Sequence, residues 1–333
     1  MFLLFLAGAV AADPTPGPFK SFGDWAVACD NVRRCEMTSL EPTDGDDDSG
    51  GAELSLVREP GPNGEITITL WPGDGGEGPL TLTIDGAQVA SGTLRNTAVE
   101  FGGATARRIA AALAAGHRAQ LSAGGRTATL SLAGASAALR FVDAQQGRAD
   151  GVTALVARGP RPAGAVPVAP ALPVVAAAPL SRADPALPAG LIARLNKTSG
   201  CGDNYSEGFA QPDPETGALG GGATLVLLAC GSGAYNLSSA AYVVRGGKAT
   251  PARFDTIKPA PDGSAEELIN ASWDAGTGTL SSYAKGRGLA DCGEAASYAW
   301  DGTRFRAVQI NRMDECRGST NWLTVWRAKV RRR

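Results

Sequence analysis

The chain carries a single histidine, His117, which narrows the chemistry open to it. A serine or cysteine nucleophile ordinarily needs an imidazole base within hydrogen-bond reach. His117 follows Gly116 at the end of a helical pattern, where the carbonyl dipoles favour an imidazolium, so helix capping accounts for it without catalysis. One histidine and no C-x2-C spacing leave zinc without a ligand set. Gly220-Gly221-Gly222 lacks both the Lys-Ser/Thr of a phosphate loop and the G-x-G-x-x-G of a dinucleotide turn, so no cofactor is expected. Asp44, Asp46 and Asp48 share the opening spacing of a calcium loop, but Ser49 stands where that loop needs Gly and Ser55 where it needs a bidentate Glu. A solvated acidic turn is the expectation there. For glycoside hydrolysis Glu207, Asp213, Glu215, Asp291, Glu294 and Glu315 are available, and no spacing selects two of them. No catalytic residue and no metal ligand is assigned.

The densest polar cluster is Lys285-Gly286-Arg287-Gly288-Leu289-Ala290-Asp291-Cys292-Gly293-Glu294, joined by Glu315-Cys316-Arg317-Gly318. A bridge between Cys292 and Cys316 would bring both Gly-rich loops to one edge, with Arg287, Asp291, Glu294 and Arg317 as a candidate ligand patch. The plainer expectation is that these charges satisfy one another around a disulfide. Trp322 and Trp326 are four residues apart in a strand pattern and so share a face. Sheet packing is the ordinary role for them, and a sugar-stacking platform is the sharper one.

Six cysteines, an even number, fit an oxidising compartment. Cys29 and Cys35 lie before a Pro-rich break, and Cys201, Cys230, Cys292 and Cys316 lie after it. Three of the possible connectivities keep pairs within their own segment, and of these 29–35, 201–230 and 292–316 is preferred. Residues 1–12 form an apolar run ending in small residues, with Ala9-Val10-Ala11 as an A-x-A site, and are expected to be a secretory signal cut near Ala11 or Ala12. No Lys or Arg precedes the run. No later run approaches the ~18 apolar residues of a membrane helix. The protein is thus expected to be periplasmic or secreted, with no transmembrane segment after cleavage.

Lys plus Arg number 31 against 33 Asp plus Glu, which leaves no basic excess for displacing counterions, and a nucleic-acid partner is disfavoured. The basic end, Arg327 to Arg333, is expected to be a solvated tail. Gly and Pro at 44 and 21 in 333 residues indicate short strands with many turns. Apolar alternation at Leu54/Leu56, Ile66/Ile68/Leu70 and Leu80/Leu82/Ile84 predicts half-buried antiparallel strands, with hairpin turns at Asp85-Gly86 and Gly124-Gly125. Helices are predicted over 105–115 and 135–146. Residues 18–157 thus form an α+β domain, a helix-covered β-sandwich. Prolines at 160, 162, 167, 170, 173 and 179 mark 158–186 as a Pro/Ala-rich linker without regular pairing. Residues 187–333 open with a short helix at Asp184-Pro185 to Leu195 and continue as an antiparallel β-meander closing toward a barrel or sandwich. The fold class is mainly β.

Asp24-Trp25, Cys29-Asp30-Asn31, Cys35, Gly286-Arg287-Gly288, Asp291-Cys292-Gly293, Tyr298-Ala299-Trp300-Asp301-Gly302, Glu315-Cys316-Arg317-Gly318 and Trp322-Leu323-Thr324-Val325-Trp326-Arg327 together resemble the secreted proteobacterial domain of unknown function 1176 family. That resemblance spans about residues 20–330. The first domain is also similar to the invasion-associated locus B proteins, through its early Trp and Cys pair, its Ala-rich helix and the small-residue segment 132–139. The likeness implies a periplasmic or envelope protein with no established reaction and supplies no catalytic residues. A non-catalytic binding module facing an envelope protein or cell-wall material is the leading expectation, with a carboxylate-dependent hydrolase or lyase on envelope glycans as the alternative.

Overall fold

In the computed structural model, the described residues are 13–43, 50–73, 77–181, 183–185, 187–205, 210–255 and 265–332. The expected signal at 1–12, the acidic turn at Asp44, Asp46 and Asp48, and Glu207 lie outside them.

The first half packs a six-stranded antiparallel sheet, in the order Phe19–Phe22, Trp25–Cys29, Cys35–Ser39, Ala52–Arg58, Ile66–Pro72 and Val99–Phe101, against a four-stranded one. The smaller sheet runs Arg126–Ser131, Arg118–Ala123, Gly78–Ile84 and Ala87–Leu94. Alternation decides which face is buried: Ile66, Ile68 and Leu70 point inward while Thr67 and Thr69 are half-buried. Asp85 and Gly86 adopt φ of 49° and 82°, the left-handed pair that a tight hairpin requires. Helices Gly103–Ala115 and Ala135–Gln145 bury Ile109, Leu113, Leu139 and Val142 in the same core as Trp25, Met37, Leu54 and Leu82.

Strand Trp25–Cys29 is buried on both faces. Trp25, Val27 and Cys29 enter the first core, and Ala26 and Ala28 enter a second one shared with Leu225, Tyr298, Phe305, Leu323 and Trp326. The two halves therefore meet through an apolar surface, and alanine supplies the close approach.

The second half contains two five-stranded antiparallel sheets, which form no closed barrel among the described residues. One is Glu215–Leu219, Ala223–Ser232, Leu237–Arg245 and Lys248–Pro251, with Glu267–Ile269 also paired to Leu237–Arg245. The other is a meander of Ser272–Asp274, Thr279–Lys285, Gly293–Trp300, Phe305–Met313 and Leu323–Arg327. Ala223–Ser232 is a nearly continuous apolar run because helix Leu191–Ser199 covers its outer face: Val226 and Leu228 pack on Leu191 and Leu195, while Leu225 and Leu227 face inward.

Several expectations need correction. Residues 158–186 were expected to lack regular pairing, yet Val174–Ala177 pairs in parallel with Lys329–Arg332, and Val175 and Ala177 are buried. Pro173 and Pro179 bracket five residues that keep their N–H groups, which is enough for a short strand. The basic end is accordingly a paired strand rather than a solvated tail, and Arg332 Nη1 donates to Ala178 O at 3.0 Å. The helix expected from Asp184-Pro185 begins at Leu191, after Gly190 in the left-handed region, because Pro188 interrupts the earlier turn. Strands Glu267–Ile269 and Ser272–Asp274 are separated at Asn270, φ 44°, whose side chain bonds Leu237 N, Asn236 Oδ1 and Tyr283 O.

Candidate functional site

The cluster singled out by its sequence lies where the meander meets the first half. Cys292 and Cys316 are bridged, as are Cys29–Cys35 and Cys201–Cys230. Gly286 permits the tight approach beneath Arg287: its N–H donates to Cys292 O at 2.8 Å, and a Cβ there would lie 2.7 Å from Cys292 Sγ. Arg287 grips Asp291 with both arms of its guanidinium, Nε to Oδ1 at 2.7 Å and Nη2 to Oδ2. Asp291, 1% exposed, also accepts Gly318 N at 2.7 Å, which ties the two Gly-rich loops together beside the disulfide. The Arg287 bond holds the Asp291 carboxyl below the usual aspartate range despite its burial.

Arg317 points away from that pair and into the first half. Its Nη1 donates to Gly23 O at 2.8 Å, and its Nη2 donates to Asp24 Oδ1 at 2.5 Å and to Glu41 O. Further bonds continue along the same seam. Arg327 Nε meets Asp30 Oδ2 at 2.5 Å, Thr324 N donates to Glu36 Oε2 at 3.0 Å, and Ser21 Oγ donates to Glu315 Oε1 at 2.6 Å. Arg287, Asp291 and Arg317 are thus brought to one edge and engaged in holding loops and halves together. Glu294 stands apart on the exposed sheet, 3.8 Å from Arg312. Trp322 and Trp326 are 8% and 9% exposed and donate their indole N–H groups to Ala290 O and Ala307 O; Trp322 stacks on Tyr283. A β-bulge between them, where Ile310 faces Trp326 but Asn311 faces Thr324, breaks the simple four-residue spacing.

His117 projects into solvent beside Asp85, whose carboxylate accepts the backbone N–H groups of His117 and Arg118. Glu215 accepts Trp273 N at 2.6 Å on another edge. Among the described residues, Asp291, Glu294, Glu215 and Glu315 thus sit at separate places, each with a different partner.

Two open concavities are lined mostly by residues outside the candidate patch. A cavity of about 240 Å³ in the first half is lined by Arg58, Arg107, Arg158 and Asn63 among others, and one of about 320 Å³ in the second half by Arg245, Lys248, Arg253 and Trp300. Among the described residues neither has an Asp or Glu in its lining. A crevice of about 20 Å³ near the seam is lined by Glu41, Glu53, Ser39 and Ser319 among others, and Glu53 Oε1 accepts Ser319 Oγ at 2.6 Å and Thr38 Oγ1 at 2.5 Å. Burial raises Glu53 above the ordinary glutamate range, against the opposing hydrogen bonds of Ser319 and Thr38. Arg58, Arg107 and Arg158 come from segments far apart in the chain, whereas Arg245, Lys248 and Arg253 lie within nine residues around one hairpin.

The chain belongs to the family described as protein of unknown function (DUF1176), whose sequence profile matches residues 19–329. It is 30% identical over 337 residues to the uncharacterized protein YpfG of Escherichia coli (strain K12), covering 92% of each chain. Among solved structures it is similar to invasion associated protein B from Bartonella henselae, with 20% identity, a TM-score of 0.30, and coverage of 39% of this chain and 99% of that one. Among the described residues no helix is long and apolar enough to cross a membrane, and three disulfides are formed, which is consistent with an extracytoplasmic protein.

Proposed function

We propose that the protein is a periplasmic or secreted envelope protein that binds rather than transforms its partner, an anionic envelope component. The observation that carries this reading is the division of charge. The Arg287, Asp291 and Arg317 cluster is engaged in internal bonds, whereas the cavities of about 240 and 320 Å³ are each lined by three cationic side chains and by no described carboxylate. Cationic walls with low-dielectric floors concentrate anions. The apolar leader and the disulfides support export.

The hydrolase or lyase reading rests on a different place, the Glu41 and Glu53 crevice, because burial shifts the Glu53 carboxyl upward, the direction that favours the protonated form a general acid needs. Its volume is far below that of a sugar-binding cleft. Purified protein incubated with envelope fragments separates the two readings. Co-sedimentation without release of soluble glycan supports binding, and glycan release that disappears in Glu53→Gln would replace it with catalysis.

A further inference from the structure

The cavity of the first half contains a cation that its surroundings do not satisfy. Arg58 closes strand Ala52–Arg58 and is 5% exposed. Its Nη2 reaches Thr153 O at 3.4 Å, and its Nε is buried with no partner. Arg148, fully buried nearby, differs in that its donors are used: Nε bonds Gln146 Oε1 at 2.7 Å, Nη1 bonds Thr153 Oγ1 at 3.1 Å, and Nη2 bonds Gly61 O at 2.5 Å. The buried acid of this region, Asp143, gives both oxygens to the backbone N–H groups of Leu155, Val156 and Ala157. Those bonds fix the loop that forms one wall of the cavity, and they leave Arg58 without a carboxylate of its own. Arg107, from helix Gly103–Ala115, and Arg158 are exposed at the rim, so three guanidinium groups line one small space.

We propose, on the reading of the protein as an anion-binding module, that this cavity is a phosphate site in which Arg58, Arg107 and Arg158 clasp a single phosphoryl group, free or as the end of a phosphomonoester. Guanidinium forks match the oxygens of phosphate two at a time, and a phosphomonoester carries about −1.5 to −2 charge at neutral pH, which three arginines neutralise better than one carboxylate would. A volume of about 240 Å³ admits a head group and little more. Burial, with Arg148 and Arg107 nearby and against the opposing charge of Asp143, pushes the Arg58 guanidinium down to about 10, and a bound dianion would offset that cost.

Thermal melting of the full chain with added inorganic phosphate, against chloride and acetate at equal ionic strength, tests the site, with a sugar phosphomonoester as a second ligand. The melting temperature is expected to rise saturably with phosphate. In the Arg107→Ala/Arg158→Ala variant, whose altered positions are exposed and whose melting without phosphate serves as the folding control, the dissociation constant should weaken about tenfold or more. Response to inorganic phosphate alone identifies the free ion as ligand, and response to both identifies a terminal phosphoryl group. A response matched by chloride or exceeded by acetate, or one unchanged in the double variant, overturns the proposal. If phosphate fails while envelope co-sedimentation persists, the site falls and the broader binding reading stands.

Discussion

Replacing Arg317 by alanine distinguishes a structural seam from a ligand patch. The guanidinium donates to Gly23 O, Asp24 Oδ1 and Glu41 O, all in the first half, from a loop of the second. Hydrogen bonds to charged groups contribute about 1.5–3 kcal/mol each, but their contributions do not add fully. The side chains of Arg317 and Asp24 are 18% and 11% exposed, so solvent screens part of the interaction. A loss of about 2–4 kcal/mol is expected, extending below the roughly 3–5 kcal/mol found when a fully buried pair loses one partner because this pair is partly exposed. With a urea slope of about 3 kcal/mol per molar for a chain of this size, the unfolding midpoint should fall by roughly 1 M. Urea melts of wild type, Arg317→Ala, Asp24→Asn and the double variant form a cycle, with an expected coupling of about 1–3 kcal/mol. A midpoint shift below about 0.2 M, or full additivity in the cycle, would refute the assignment of Arg317 to the seam.

Non-reducing peptide mapping should give 29–35, 201–230 and 292–316 with no free thiol, and a peptide joining Cys29 to a cysteine beyond residue 200 contradicts the pairing. With sequence separations of 29 and 24, the two longer loops should each contribute about 3.5 kcal/mol in the chain-entropy model, so reduction should lower the melting temperature. Asp291 has a depressed pKa in the fold, so its stabilisation is complete above the unfolded aspartate value of about 3.9 and is lost as pH falls through the folded value. Urea titrations between about pH 6 and 2 should therefore show an acid-side loss of stability that Asp291→Asn reduces, and an identical pH slope in the variant would contradict this. Residues 13–157 and 187–333 expressed apart should each fold around their own core but melt below the full chain, because Ala26, Ala28 and Leu40 leave a shared core and Val174–Ala177 is missing from the second piece. Fragments as stable as the intact protein would show that the seam contributes little.

Local chemistry was readable from the sequence. Asp85-Gly86 and Gly124-Gly125 have the residues that positive φ demands, and the helix expected over 105–115 forms as Gly103–Ala115 with Ile109 and Leu113 inward. Arg287 and Asp291 form a close pair beside the Cys292–Cys316 bridge, in line with the expectation that charges there satisfy one another around a disulfide. What could not be read depends on long-range packing. The alternation Trp25, Ala26, Val27, Ala28, Cys29 looks half-buried, and nothing local reveals that the alanine face is closed by the second half. Val174–Ala177 is a strand only because Lys329–Arg332 runs beside it. Arg58, Arg107 and Arg158 come from a strand end, a helix and a loop, so their convergence is a product of topology alone.

The most direct test of the binding account is co-sedimentation of the purified protein with envelope fragments, measured across salt concentration, for wild type, Arg317→Ala, Arg107→Ala/Arg158→Ala and Arg245→Ala/Lys248→Ala/Arg253→Ala. Binding through the basic cavities should weaken with salt, as partly exposed charges are screened beyond about 8–10 Å at physiological ionic strength. The account predicts salt-sensitive retention that the cavity variants reduce and that Arg317→Ala preserves under conditions where it remains folded. Retention lost in Arg317→Ala but intact in both cavity variants would contradict it and return the ligand to the seam.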